Sequence, residues 1–265
     1  MDQPAQTRTE PSLEEKVLVA VKAVCLIGFP LVPMLVYLSQ VHPGLPGNTA
    51  AQEVASLARV AGRWSQVHAA FWVGGLLGLA AVLVLRAEVA REAPVLFTNA
   101  AAAVGVVGAV IFTGTVYMEI DVIPTLSTAC NQSPLCLAPD NAVFTNALAE
   151  QGWRVLPGLT LGAKTLVLGL ALLAILGFTY GALKPWESLA LFTGSVWEYG
   201  VSTGLHAWGE FSPSRGMPGM AAVAILFAGA SIAWRMVTEL RSRGKPGGSG
   251  GPAAAEASTR PETPG

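Results

Sequence analysis

Six apolar stretches, each close to the roughly 20 residues that carry a helix across a bilayer, follow one another along this chain at 17–39, 64–85, 94–118, 156–180, 186–205 and 217–236. Short joints separate most of them, many built on Pro or Gly, and none shows the alternating pattern of a membrane β-strand. Of the 265 residues, 52% are hydrophobic and 12% charged, about half the charge of an average soluble domain. A core able to bury that much apolar surface from water exceeds what a chain of this length builds, so lipid is the expected solvent. The predicted fold is all-α, a polytopic six-helix membrane bundle over 13–240. Residues 1–12 and the Gly/Pro/Ala-rich tail 241–265 are expected to be disordered.

The first stretch reads as a retained helix. Its apolar run is longer than a signal-peptide core, and no small-x-small cleavage pattern follows "YLSQVHPG". Pro30 and Pro33 are expected to kink it.

Cations set the expected threading. With the N-terminus cytoplasmic, the inner side receives Arg8, Lys16, Lys22, Arg86, Arg91, Lys184, Arg235, Arg241, Arg243, Lys245 and Arg260. The outer side receives Arg59, Arg63, Arg154 and Arg215, and Lys164 lies within the membrane. Both termini then face the cytoplasm of a bacterial-type cell membrane. The longest outer loop, 119–155, joins the third and fourth spans; 40–63 forms a second outer loop with a helix candidate in "TAAQEVASLARVAG". Cys130 and Cys136 fall in the long outer loop, where a disulfide persists, whereas Cys25 is embedded.

Helices in lipid gain no hydrophobic drive for one another, so close packing needs small residues at regular spacing. Ala70, Gly74 and Gly78 supply one such face; Ala101, Gly105 and Ala109 a second; Gly158 and Gly162 a third.

Ionisable groups inside a span are costly and are normally paired or line a wet cavity. Lys22 lies near the inner boundary and can snorkel. Lys164 is eight residues into its span and Glu198 twelve residues up the next. By the rise per residue both lie about 12 Å below the outer edge. Opposite charge at equal depth on consecutive antiparallel helices predicts a Lys164–Glu198 ion pair, which would serve function or only fix helix register. Ser195, Glu198, Ser202 and His206 share one helix face, and Trp64, His68 and Trp72 form a stripe on another. Glu119 and Asp121 cap the third span. The outer half of the bundle is therefore expected to carry a polar pocket, and the inner half only mild groups such as Thr98 and Asn99.

The expected function is to bind or pass a small solute or lipophilic molecule through Lys164, Glu198, His68, Trp64, Ser195, Ser202, Tyr199, Glu119 and His206. Acid–base catalysis on a lipid-like substrate by Glu198, Glu119, Asp121 and His206 stays open, as does a b-type haem held by His68 and His206. A scaffold role would leave the ion pair structural. The cofactor is undetermined. His42, His68 and His206 lack metal-ligand spacing, and "TGSVW" is no nucleophile elbow. No phosphate-cradling motif or basic nucleic-acid patch appears, so the expected partners are the bilayer, a small ligand and, at most, further copies of the chain.

If the outer cysteines are bridged, a membrane-impermeant maleimide applied to intact cells should label neither Cys130 nor Cys136 until a reductant is added; labelling without reductant would show free thiols.

Overall fold

The computed structural model describes residues 10–38, 50–134, 156–207 and 217–243, and within the last two ranges the side chains of 156–160, 198–207 and 217–220 are not described. Among the described residues there are seven helices and no strand. They are α1 (Leu13–Leu38), α2 (Ala50–Val89), α3 (Val95–Ile120), α4 (Val122–Asn131), α5 (Leu156–Thr179), α6 (Pro185–Ala207) and α7 (Met217–Arg243). Five spans, within α1, α2, α3–α4, α5 and α7, are long and apolar enough to cross a membrane. The sixth expected span is α6, whose side chains are described only as far as Trp197.

Local chemistry sets the helix ends. Ser12 and Glu15 form a reciprocal capping box at the start of α1: the Ser12 backbone N–H donates to the Glu15 carboxylate at 2.8 Å, and the Glu15 N–H to the Ser12 hydroxyl at 3.1 Å. At the α5–α6 joint, Gly181 takes φ +70°, a conformation that only glycine adopts without strain. The Leu183 N–H then donates back to the Gly177 carbonyl at 3.1 Å. Pro185 opens α6, and Glu187 two residues on accepts the Lys184 backbone N–H at 3.0 Å.

Three boundaries differ from the sequence reading. The helix candidate before Trp64 and the second span form one unbroken rod, α2, of 40 residues. No proline or paired glycine interrupts 50–63, so the helix has no reason to stop at the apolar boundary. The third span breaks at Asp121 (φ −127°, ψ −54°) and restarts at once as α4, so the first part of the expected outer loop is helical. Residues 241–243, assigned to the tail, close α7.

Each long helix packs on its neighbours in the order α1, α2, α3, α5, α6, α7, and α7 returns to α1. The ring closes on an apolar core including Leu26, Val82, Leu85, Leu170, Leu173, Leu191, Ile225 and Ile232. A residual void of about 10 Å³ lies among Leu26, Phe29, Ala81, Leu85, Leu170, Leu191, Ile225, Gly229 and Ile232. Outward, the same helices expose Val17, Val21, Val24, Leu76, Leu83, Val107, Val110, Leu168, Ile175, Val223 and Phe227. An apolar surface of that extent is suited to lipid, not water.

The tightest seam joins α3 and α5. A Cβ on Gly108 would fall on the backbone of Thr165 and Leu166, one on Gly162 on the backbone of Phe112, and one on Gly169 on the backbone of Gly105. The expected glycines Gly105 and Gly162 lie in this seam, and Gly108 and Gly169 complete it. Gly78 instead accommodates Phe29 of α1.

Because backbone cannot yield as a side chain can, Gly108→Ala should cost at least the ~1–3 kcal/mol typical of overpacking. Ala substitution at Gly114, which faces open space, should be close to neutral. Thermal unfolding of the detergent-purified variants measures both.

Candidate functional site

Two buried polar clusters stand near opposite ends of the ring, and they differ in how well their carboxylates are satisfied. The first is built on the last turn of α3. Glu119 there is 1% exposed. The Trp64 indole N–H on α2 donates to Glu119 Oε2 at 3.1 Å. One turn further along α2, His68 stacks on Trp64 with ring centroids 4.5 Å apart and 25° between planes. The Phe71 ring lies 6.0 Å from the imidazole, tilted by 59°.

The His68 Nδ1 lies 2.9 Å from the Trp64 carbonyl oxygen. A carbonyl only accepts, so Nδ1 carries the proton in this contact. Above the cluster, Ile123 of α4 and Leu57 of α2 pack with Trp64 into a small apolar cap. The turn at Asp121 is what folds α4 back onto α2 to supply it. Glu119 Oε1 has no hydrogen-bond partner among the described residues and is fully enclosed. A buried polar atom left in that state costs about 1–3 kcal/mol. It is the group at this end of the bundle that a donor would most stabilise.

The other expected site residues divide as follows. Trp64, His68 and Glu119 are brought together. Asp121, two residues on, is not part of the cluster: it is exposed and accepts from Thr125 Oγ1 at 3.3 Å. Ser195 is buried on α6, its hydroxyl unpartnered among the described residues, at the level where Gly194 meets Ala221 and Ile225 of α7. Lys164 is half-buried on α5. Lys164 lies 15 residues before the end of α5 and Glu198 13 residues after the start of α6, one on each arm of the α5–α6 hairpin. The side chains of Glu198, Tyr199, Ser202 and His206 lie outside the described residues, and with them the expected ion pair and the His68–His206 haem ligation. Cys130 is buried in the last turn of α4; Cys136 also lies outside.

The second cluster corrects the expectation that the inner half carries only mild polar groups. Glu187, fully buried in the first turn of α6, accepts from Ser231 Oγ at 2.7 Å, from Arg235 Nη2 at 3.4 Å and from the Lys184 backbone N–H. Arg235 also donates to the Ala182 carbonyl at 3.3 Å. Nearby, Glu88 of α2, 3% exposed, pairs with Lys22 of α1 at 3.9 Å and Arg91 at 3.0 Å, and Arg91 reaches Glu239 of α7 at 3.8 Å. Lys22 is therefore paired, not merely snorkelling. Glu88, Glu187 and Arg235 sit beside the joints, just outside or at the edge of the apolar stretches, so a search within those stretches passes over them. The signal that was there is Lys184-Pro185-Trp186-Glu187, a helix start with an acid at its third position.

Both Glu187 oxygens are hydrogen-bonded and the cluster fastens helix ends, while Arg235 Nε and Glu88 Oε1 have no hydrogen-bond partner among the described residues; Glu88 is instead compensated by Lys22 and Arg91. The Glu119 cluster holds an unsatisfied acceptor among aromatic rings, and it is the better candidate for a binding function. Among the described residues, no three His, Cys, Asp or Glu side chains lie close enough to share a metal ion. The chain matches no protein-family model, no curated protein and no solved structure.

Trp64→Phe removes the donor and strands both Glu119 oxygens, so it should destabilise the fold by about 1–3 kcal/mol. Trp64→Phe combined with Glu119→Leu should recover part of that loss. Thermal unfolding of the two variants against the parent reads out the coupling.

Proposed function

We propose that this chain is a multi-pass membrane protein that binds or passes a small solute or a lipophilic molecule through a polar site in the outer half of its bundle. The observation that carries this reading is Glu119 Oε1, enclosed and unpartnered among the described residues, on a carboxylate whose other oxygen is held by Trp64, the indole on which His68 stacks. One open hydrogen-bonding position beside aromatic rings suits a ligand with a single N–H or O–H donor on an apolar body. Lys164, Glu198, Ser195, Ser202, Tyr199 and His206 extend the polar lining, with Lys164 and Glu198 as an ion pair. Because Ile123 and Leu57 close over Trp64, ligand entry displaces α4.

Six crossings with both termini in the cytoplasm agree with the charge distribution. Lys16, Lys22, Arg86, Arg91, Lys184, Arg235, Arg241 and Arg243 gather at the α1 N-terminal end of the ring, with Arg59 and Arg63 beyond the other. In that orientation α4 is external, and a Cys130–Cys136 bridge ties the chain leaving it.

Screening small aromatic amines and alcohols against the detergent-purified protein by thermal unfolding tests the site. Ligands that raise the parent's Tm should lose their effect in Glu119→Leu and keep it in Asp121→Asn. If the shifts persist in Glu119→Leu, binding is elsewhere and the reading fails.

A further inference from the structure

Where α7 closes the ring against α1, a cleft of about 540 Å³ opens between the two helix ends. Val19 and Ala20 of α1 and Val237 and Leu240 of α7 line it, together with Pro11, Glu10, Lys16 and Arg241. Its chemistry is graded, with aliphatic side chains deeper in the bundle and charged ones at the rim. The two cations stand on opposite walls, Lys16 on α1 and Arg241 on α7. Neither has an ion-pair or hydrogen-bond partner for its side chain among the described residues. Elsewhere at this end of the ring Lys22, Arg91 and Arg235 are engaged by carboxylates and Arg86 by Asn99, whereas Lys16 and Arg241 face one cleft with their charges open. Glu10, also at the rim, offsets one of the two charges and leaves a net positive opening.

We infer that this cleft is a binding site for an anionic phospholipid of the cytoplasmic leaflet, with the headgroup phosphate between Lys16 and Arg241 and the upper acyl chain against Val19, Ala20, Val237 and Leu240. A free phosphate would use the two cations but gain nothing from the aliphatic wall. A zwitterionic lipid would use the wall while bringing its own cation to a positive rim. An anionic lipid satisfies both parts. The height is also right: Lys16 lies in the first turn of α1 and Arg241 in the last turn of α7, at the ends of segments apolar enough to span, where headgroups lie. Basic clefts between helices on the cytoplasmic side are the usual location for such recognition. This inference rests on the membrane reading of the chain and is independent of the Glu119 site.

The test uses the full-length protein in nanodiscs containing phosphatidylglycerol and phosphatidylcholine, followed by release into detergent and native mass spectrometry of the lipids retained. The parent should retain phosphatidylglycerol in preference. Each interfacial cation is worth a factor of about five, so Lys16→Gln with Arg241→Gln should lower that preference by more than tenfold. Arg243→Gln, outside the cleft, and Glu119→Leu, at the other end of the bundle, should leave it unchanged. An unchanged preference in the double variant overturns the assignment. So does an equal loss in Arg243→Gln, which would indicate general surface charge. Full displacement of the retained lipid by millimolar inorganic phosphate would identify an anion site and refute the lipid one.

Discussion

The contact on which the rest of the structure depends is the backbone-to-backbone approach of α3 and α5 through Gly105, Gly108, Gly162 and Gly169. Within lipid, helices have no water to escape, so what draws them together is close van der Waals contact, and only missing side chains allow it at this range. This seam fixes the rotation of α3 about its axis. Once fixed, Ala101, Ala109, Val116 and Glu119 must turn inward and Leu96, Val107, Val110 and Tyr117 outward. Glu119 is therefore buried because of where it falls on a helix whose orientation is decided two to four turns away.

The two carboxylate clusters show how differently one functional group can be used in a single bundle. Glu187 stands at a helix start, where backbone N–H groups are open and the helix dipole favours a negative charge. Ser231 and Arg235 complete its shell, and the result joins α6 to α7. Glu119 stands at a helix end, where the dipole offers a carboxylate nothing, and it receives one indole N–H. A protein that needed only stability would gain by replacing Glu119 with an apolar residue. A buried carboxylate with one oxygen unpartnered among the described residues, in an otherwise well-packed setting, is the physical argument for a role beyond packing.

Architecture was legible in the residues because it rests on length and hydropathy, which are additive along the chain. Five of the six anticipated spans are matched by helices of adequate length and polarity, and Trp64, His68 and Glu119 were each picked out from their positions on apolar helices. What could not be read was continuity. Whether Arg59 belongs to a loop or to α2, and whether 122–131 is loop or helix, depends on α2 and α4 packing together through Leu57, Trp64 and Ile123, a contact between residues some sixty positions apart. The Glu88 and Glu187 clusters were missed for a related reason. Charged residues at span ends look like ordinary solvated boundaries until helix packing turns them inward.

The 40 residues of α2 correspond to about 60 Å of helix, roughly twice the hydrocarbon thickness of a bilayer. Val54 near one end and Glu88 near the other belong to the same uninterrupted rod, and Trp64 and His68 lie between them. The helix is therefore longer than any hydrocarbon layer it crosses, and around Leu57 and Trp64 its neighbour is α4 rather than lipid.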